Sequence, residues 1–267
     1  MNIAIIASTK DLASMNIKAN LLEHFNNAYE IYESEDVFYS GNAKLYTINN
    51  ELITYENIDK RINADFFIFI SKHKSQVEKP TLSVHSIGNW NGNEFGGISN
   101  KLVLTSSLML RKFFLILNEL GKDSGYEIVY EATHHGPYLE KPAFFIEIGS
   151  TEKEWADKNA GKIIAQTIIQ GIPKENDDAK TVIGIGGLHT CPEFNKAVLR
   201  NNIALSHICP KYALEFLTKE SLQEAISKTA EKIDFVLLDW KGLRAEKQKI
   251  LSLLNETNLD YKKTTDL

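Results

Sequence analysis

The chain has 267 residues, of which 43% are hydrophobic and 24% charged. That composition builds a globular protein with a sizeable core and excludes a disordered or collagen-like chain. Acidic residues outnumber basic ones by 35 to 30, and a net charge of −5 gives no sign by itself of a nucleic-acid partner.

No run approaches the roughly 20 apolar residues of a membrane helix. The N-terminus lacks the basic start and long apolar stretch of a signal peptide. Two cysteines, Cys191 and Cys209, have no CxxC spacing, suggest no disulfide framework, and are expected to be inert. A cytoplasmic protein without membrane contact is expected, and with no exposed apolar stripe evident, a monomer.

In chain order, residues 3–7 predict a first buried strand, and 34–60 leaves room for an antiparallel excursion. Residues 66–70 predict a second strand, and 82–84 is a further short apolar run. A helix is predicted over 101–120, with Leu102, Leu108, Phe113, Ile116 and Leu117 near one face and Gly121 at its end. The apolar run 128–132 precedes a strand at 143–148. A helix over 151–170 starts from a Ser150 or Thr151 cap with Glu152 and Glu154 in its first turn. It turns Trp155, Ala156, Ala160, Ile163, Ile164 and Ile168 inward and stops at Gly171 and Pro173. The polar stretch 174–180 reads as a solvated loop. Strands at 182–185 and 235–238 and helices at 217–232 and 245–254 complete the chain.

The strands are uniformly apolar, as expected where both faces are covered. Their alternation with helices predicts an α/β fold with a central mixed, largely parallel sheet flanked by helices. No repeat or linker interrupts it, so one domain over 1–267 is expected, with room for a small C-terminal subdomain.

Of seven histidines, only His24 lies on a polar, helix-like stretch. His73, His85, His134, His135, His189 and His207 lie at or just after apolar runs or in Gly/Pro-rich turns. Side chains leaving the carboxyl ends of sheet strands converge although distant in sequence. Glu131 is in the same neighbourhood, and Glu147 interrupts an otherwise apolar strand, so it needs a partner or a metal if buried. Imidazoles with carboxylates are zinc ligands, and histidine is the natural general base near neutrality. No HExxH is present, and Glu131-x-x-His134 is a weak signal. Gly-x-Ser-x-Gly is absent, and Ser71, Ser86 and Ser150 have no evident base.

Gly184-Ile185-Gly186-Gly187-Leu188-His189 is neither GxGxxG nor a P-loop. Its glycines suit a close backbone approach to substrate. The loop 88–97 carries Trp90 and Phe95 and suits a rim that stacks on a terminal adenosine. Basic candidates are Lys72, Lys74 and Lys79 around His73, and Lys211, Lys241, Arg244, Lys247 and Lys249 late in the chain.

Several segments occur in one order: Ser71-Lys72-His73, His85-Ser86-Ile87-Gly88-Asn89-Trp90, Glu131 through Pro137 (EATHHGP), Phe145 through Ser150 (FIEIGS), and Gly184 through His189. His207 with Pro210-Lys211-Tyr212-Ala213 follows, then Asp239-Trp240-Lys241-Gly242. Together, from the N-terminus to about residue 245, they resemble the archaeal and plant type of D-aminoacyl-tRNA deacylase. One departure is Thr190 after His189, where an aromatic residue is expected.

The resemblance implies a fold akin to peptidyl-tRNA hydrolase and phosphorylases, and zinc as cofactor. It implies hydrolysis of the ester joining a D-amino acid, D-tyrosine among them, to the 3′-terminal ribose of tRNA. On this reading His85, His134, His135, His189 and Glu147 are catalytic. The metal set is His85, His134 and His189, with Glu131, Glu147, His73 and His207 as further candidates. Asn89, Trp90, Gly136, Gly186, Gly187, Lys72, Lys211 and Lys241 are the substrate and tRNA contacts, and the backbone N–H groups of Gly136, Gly186 and Gly187 are candidate oxyanion donors. The rival reading is a zinc-dependent amidohydrolase or carboxypeptidase-like enzyme acting on a small acyl substrate without RNA.

Overall fold

A run without polar residues can sit in a sheet only where both faces are covered, and β1 (Ile3–Ser8) is buried at all six positions. In this computed structural model, which describes residues 1–175 and 178–267, it is followed by α1 (Leu12–Leu21), capped by the Asp11 carboxylate. β2 (Asn26–Tyr32), β3 (Glu35–Ser40) and β4 (Ala43–Ile48) make the antiparallel excursion, which begins earlier than 34. Then come β5 (Phe66–Lys74), β6 (Thr81–His85), α2 (Ser107–Gly121), β7 (Glu127–Tyr130) and β8 (Ala143–Ser150). The first sheet is mixed, in the order β2-β3-β4-β1-β5-β8-β6-β7. Four of its pairings are parallel and three antiparallel.

After α3 (Glu152–Trp155) and α4 (Lys158–Gly171), a second sheet is built from β9 (Lys180–Ile185), β10 (Ile203–Cys209), β11 (Phe235–Leu238) and β12 (Tyr261–Lys263). It is parallel throughout, in the order β10-β9-β11-β12, with α5 (Pro192–Arg200), α6 (Lys219–Ser227) and α7 (Lys247–Glu256) in its connections. One apolar core runs from α1, α2 and α4 through the first sheet to Val182 and Leu205 of the second.

Several boundaries differ from expectation. The helix expected over 101–120 starts only at Ser107, because the Ser106 hydroxyl accepts from the Met109 N–H and caps it. Leu102 instead bridges Gly88 in extended chain. The helix expected over 151–170 breaks at Asp157, whose carboxylate caps α4 by accepting from the Asn159 N–H. The late helices occupy 219–227 and 247–256. Of the polar stretch 174–180, residues 176 and 177 lie outside the described residues.

Strand alternation sets up the site. Side chains along a strand point to opposite faces with period two. In β5, β6 and β8 the even-numbered Phe66, Ile68, Ile70, Leu82, Val84, Phe144, Ile146 and Ile148 join the core shared with α1, α2 and α4. The odd-numbered residues face the other way. They begin with Phe67, Phe69 and Phe145 and continue with Ser71, His73, Ser83, His85 and Glu147.

On α2, Lys112 is only 6% exposed. Burial, then the charge of Lys174, depresses its ammonium to about 8, while Nζ donates to the Lys174 carbonyl at 2.7 Å. The unfolded chain, with a value near 10.5, therefore binds more protons across this window, and stability rises as pH climbs from about 8 to 10.5. Each unit is worth about 1.4 kcal/mol. Lys112→Met is expected to abolish this rise in chemical denaturation at pH 7 and pH 10; an identical pH dependence in the variant counts against it.

Candidate active site

Alternation brings His73, Glu147 and His85 to one face of the first sheet, and Glu131 joins them just beyond β7. Convergence at parallel carboxyl ends is not the reason. β6 runs antiparallel to β8, so His85 lies opposite Phe145 while His73 lies opposite Gly149. Two loops complete the cluster. The one after β7 brings His134 and His135; the one after β9 brings His189. Backbone bonds tie them together: the Ala132 N–H donates to the His189 carbonyl at 2.8 Å and the Thr133 N–H to the Ile208 carbonyl at 3.0 Å.

Glu131, 1% exposed, is the hub. Its Oε2 lies 3.0 Å from His189 Nε2, 3.1 Å from His73 Nδ1 and 3.7 Å from His134 Nε2. Glu147 Oε2 lies 3.6 Å from His85 Nε2 and 3.8 Å from His73 Nδ1. Carbonyls orient three rings: Nδ1 of His134 donates to Ala132 at 2.8 Å, that of His135 to Gly136 at 2.6 Å, and that of His85 to Ser86 at 3.0 Å. Each Nε2 is left as the free ligand or base position.

Burial opposes ionisation of both carboxyls. At Glu131 the His73 charge and the bonds from His189 and His73 outweigh burial and hold the carboxyl well below its usual range. At Glu147 burial wins over His85, and the carboxyl is raised. Burial also pulls His73 down, but the Glu131 charge and hydrogen bond lift it to about 9. Burial, then the charges of His85 and His135, keeps His134 well below its usual value. Burial, then His85, lowers His135 to about 3. Two carboxyls pushed in opposite directions beside neutral imidazoles are the pattern of an acid–base site.

One ring nitrogen each of His73, His134 and His189 and one Glu131 oxygen all lie within 4.8 Å of one another. The buried Glu131 Oε1 has no hydrogen-bond partner among the described residues. Three imidazoles and a carboxylate are a donor set that zinc accepts, so the residues present fit that ion.

The cluster sits where two clefts meet. One, of about 620 Å³, is walled by Leu52, Ile53, Asp11 and Lys72; the other, of about 490 Å³, by Asn89, Tyr212 and Phe216. Phe95, His134, His135 and His189 line both. Phe95 is 66% and Tyr212 54% exposed, and the Tyr212 hydroxyl lies 3.3 Å from His189 Nδ1.

Two acidic residues near the site escaped the sequence reading. The Asp11 carboxylate accepts from the Ser71 hydroxyl at 3.1 Å and the Lys72 N–H at 2.9 Å. The Glu56 carboxylate accepts from the Gly97 N–H at 2.7 Å and from the Tyr138 N–H, clamping the 88–97 loop. Only the position of Asp11 before a helix offered a signal.

Several expected roles are corrected. His207 is buried apart from the cluster; its Nε2 donates to the Lys228 carbonyl at 3.0 Å, and burial lowers it to about 4. His85 and His189 share no metal-ligand group among the described residues, because the His134 ring lies between them, 4.2 Å from one and 4.5 Å from the other. Trp90 lines the second cleft but is 4% exposed and donates its indole N–H to the Ile208 carbonyl at 3.1 Å, so it anchors the loop, and Phe95 presents the exposed ring. The Gly136 N–H is taken by the Phe95 carbonyl at 3.1 Å and the Gly186 N–H by the Cys209 carbonyl at 2.8 Å, so neither is free for an oxyanion. Gly186 and Gly187 serve loop-to-loop contact. A Cβ on Gly186 would lie 2.9 Å from the Asp239 carbonyl, and one on Gly242 would lie 2.3 Å from the Gly187 nitrogen. Lys72 lies 3.8 Å from Glu51, and Lys79 pairs with Glu127 at 2.6 Å. Cys191 and Cys209 are buried, and burial raises both thiols.

The family model for D-aminoacyl-tRNA deacylase matches residues 60–262. A Thermococcus kodakarensis protein of that name is 38% identical, with 96% of this chain and 98% of the relative covered. One from Methanocaldococcus jannaschii is 33% identical over 98% of this chain and 100% of its own. A crystal structure of a conserved protein of unknown function superposes with a TM-score of 0.91 at 28% identity, over 99% of this chain and 96% of that one. With matches of this extent, the chain belongs to the D-aminoacyl-tRNA deacylase family of hydrolases.

Proposed function

We propose that this chain hydrolyses the ester between a D-amino acid, D-tyrosine among them, and the 3′-terminal ribose of tRNA, releasing free amino acid and tRNA. The supporting observation is the junction itself, where two clefts open onto neutral imidazoles and a pair of oppositely shifted carboxyls. The cleft beside Leu52 and Ile53 takes the aminoacyl group. The cleft with Phe95, Tyr212 and Phe216 takes the terminal adenosine, whose base stacks on an exposed ring.

An aminoacyl ester is already activated, so water attacks its carbonyl without a covalent enzyme intermediate. His135, neutral and facing both clefts, orients that water through Nε2. The proton passes to the His85–Glu147 pair, where burial favours the protonated carboxyl, and returns to the ribose oxygen as the ester C–O bond breaks. His73, His134, His189 and Glu131 would hold zinc, which when bound polarises a carbonyl and acidifies water. Without the ion, Glu131 aims two of these imidazoles by accepting from His73 Nδ1 and His189 Nε2. No helix among the described residues is long and apolar enough to cross a membrane, and we place the enzyme with its tRNA in the cytoplasm, as a monomer.

Incubation with D-Tyr-tRNA and L-Tyr-tRNA, with and without chelator, tests this. The D-ester is expected to be cleaved and the L-ester spared, with activity lost on chelation and restored by zinc. Equal hydrolysis of both esters ends the chiral reading. Full activity after verified metal removal ends the zinc role. Cleavage of N-acyl amino acids with the tRNA ester ignored establishes the amidohydrolase.

A further inference from the structure

The cations of this acidic chain are unevenly partnered. Lys44, Lys79 and Lys196 pair with Glu30, Glu127 and Glu193 at 2.5, 2.6 and 2.8 Å. At the carboxyl edge of the second sheet, Lys211, Lys241, Arg244, Lys247 and Lys263 have no carboxylate within ion-pair distance among the described residues. Two of them share one ring: Lys247 Nζ lies 4.9 Å and Lys263 Nζ 4.5 Å from the Trp240 centroid. Asp239, Glu246 and Asp266 lie on the same edge, but Asp239 accepts from the Gly242 N–H, Asp266 accepts from the Lys263 backbone N–H and Glu246 faces Lys249 at 3.9 Å. The five cations remain without an ion-pair partner among the described residues, which favours a polyanion in that role.

This edge is built into the active site. The Lys211 N–H donates to the Gly187 carbonyl at 2.9 Å, and Gly242, next to Lys241, packs against the Gly187 backbone. His189 follows Gly187 by two residues, at most about 7 Å of chain. Lys249 is no free cation: Nζ donates to the Leu214 and Glu215 carbonyls at 2.9 and 2.7 Å. It thereby ties α7 to residues 211–216, which carry Tyr212 and Phe216. The basic edge and the aromatic wall of one cleft are therefore one piece, whereas Lys72 and Lys79 on the far side of His73 are offset by Glu51 and Glu127.

We infer that the carboxyl edge of the second sheet is the docking surface for the tRNA acceptor stem. Lys211, Lys241, Arg244, Lys247 and Lys263 engage backbone phosphates, while the terminal adenosine turns into the cleft of Phe95, Tyr212 and Phe216. The inference rests on the tRNA reading above and assigns it a face. Phosphate contacts position the substrate without reading its sequence. Each one lost flattens the salt dependence of association by about 0.7 to 0.9 log units per decade of salt.

The test is a triple variant, Lys241→Gln/Arg244→Gln/Lys247→Gln, with D-Tyr-tRNA and the minimal ester D-tyrosyl-adenosine as substrates. With tRNA, kcat/KM is expected to fall about 10- to 100-fold at physiological salt and its salt slope to flatten by about 2. The minimal ester has no stem to lose and is cleaved as by the wild type. A charge-matched control, Lys44→Gln/Lys79→Gln/Lys196→Gln, keeps the wild-type slope. Affinity for uncharged tRNA, read by fluorescence anisotropy, follows the same ranking. An unchanged slope and affinity in the first variant, equal loss on both substrates, or equal loss in the control overturns the inference. If the wild type cleaves neither ester while tRNA affinity still depends on these cations, the surface stands and the deacylase reading falls.

Discussion

Glu131→Gln is expected to lower turnover on D-Tyr-tRNA by about 10²- to 10³-fold, within the range for losing a general acid–base or ligand-orienting group. The substitution keeps the shape of the side chain and removes its charge. Oε2 now faces His189 Nε2, His73 Nδ1 and His134 Nε2. An amide nitrogen in that place presents donors to the His73 and His189 donors, and an amide oxygen there lacks the charge that holds His73 at about 9. Removing one member of a buried charged set also costs about 3 to 5 kcal/mol, so the melting temperature falls with activity. Single-turnover kinetics, thermal melting and zinc content of the purified variant measure the three effects. A folded variant with near-normal turnover removes Glu131 from the centre of the site.

Gly136→Ala is expected to reduce kcat/KM by about 100-fold through geometry alone. A Cβ at this position would lie 2.2 Å from the Gly97 nitrogen, 2.4 Å from the Ile53 carbonyl oxygen and 2.6 Å from the Gly96 carbonyl carbon. All three are backbone atoms, so no side chain can swing aside. Either residues 134–137 or the 88–97 loop must move. The first displaces His135, whose Nδ1 donates to the Gly136 carbonyl; the second displaces Phe95 from the junction of the clefts. A misplacement of about 1 Å in a positioned group costs about 10² in rate, and overpacking costs about 1 to 3 kcal/mol in stability. Gly92→Ala is the contrast. Its Cβ would meet nothing within 4 Å, so activity is expected to stay near wild type despite the strain of a φ of +66°. Steady-state kinetics of both variants on D-Tyr-tRNA decide the matter, and a Gly136→Ala enzyme of normal kcat/KM refutes the steric argument.

The strands were legible where their cause is local. β1, β5, β8, β9 and β11 are apolar because both faces are buried, and a continuous apolar run announces that directly. β10 was not announced. Ser206 and His207 interrupt it, and both are buried only because the Val182 and Lys228 carbonyls accept from them. The start of α2 was overrun for the reverse reason: Leu102 and Val103 continue the apolar pattern, yet they are buried from extended chain, and a single serine hydroxyl sets the boundary. In the site, Glu147 was legible as a carboxyl inside an apolar strand. The clamp made by Glu56 was not, since nothing near residue 56 hints at Gly97 or Tyr138.

By itself the sequence determined the α/β class, the histidine-rich chemistry and the family, because residue types, their short-range spacing and their order are properties of the chain. Only the tertiary structure decided that His73 rather than His85 joins Glu131, His134 and His189. It also decided that Trp90 anchors while Phe95 is exposed, and that the glycines after β9 face Asp239 and Gly242. Those outcomes depend on which way an antiparallel neighbour runs and on backbone contacts between segments far apart in sequence. A distance of 3 Å across a sheet leaves no mark on local composition, whereas burial of a whole strand does.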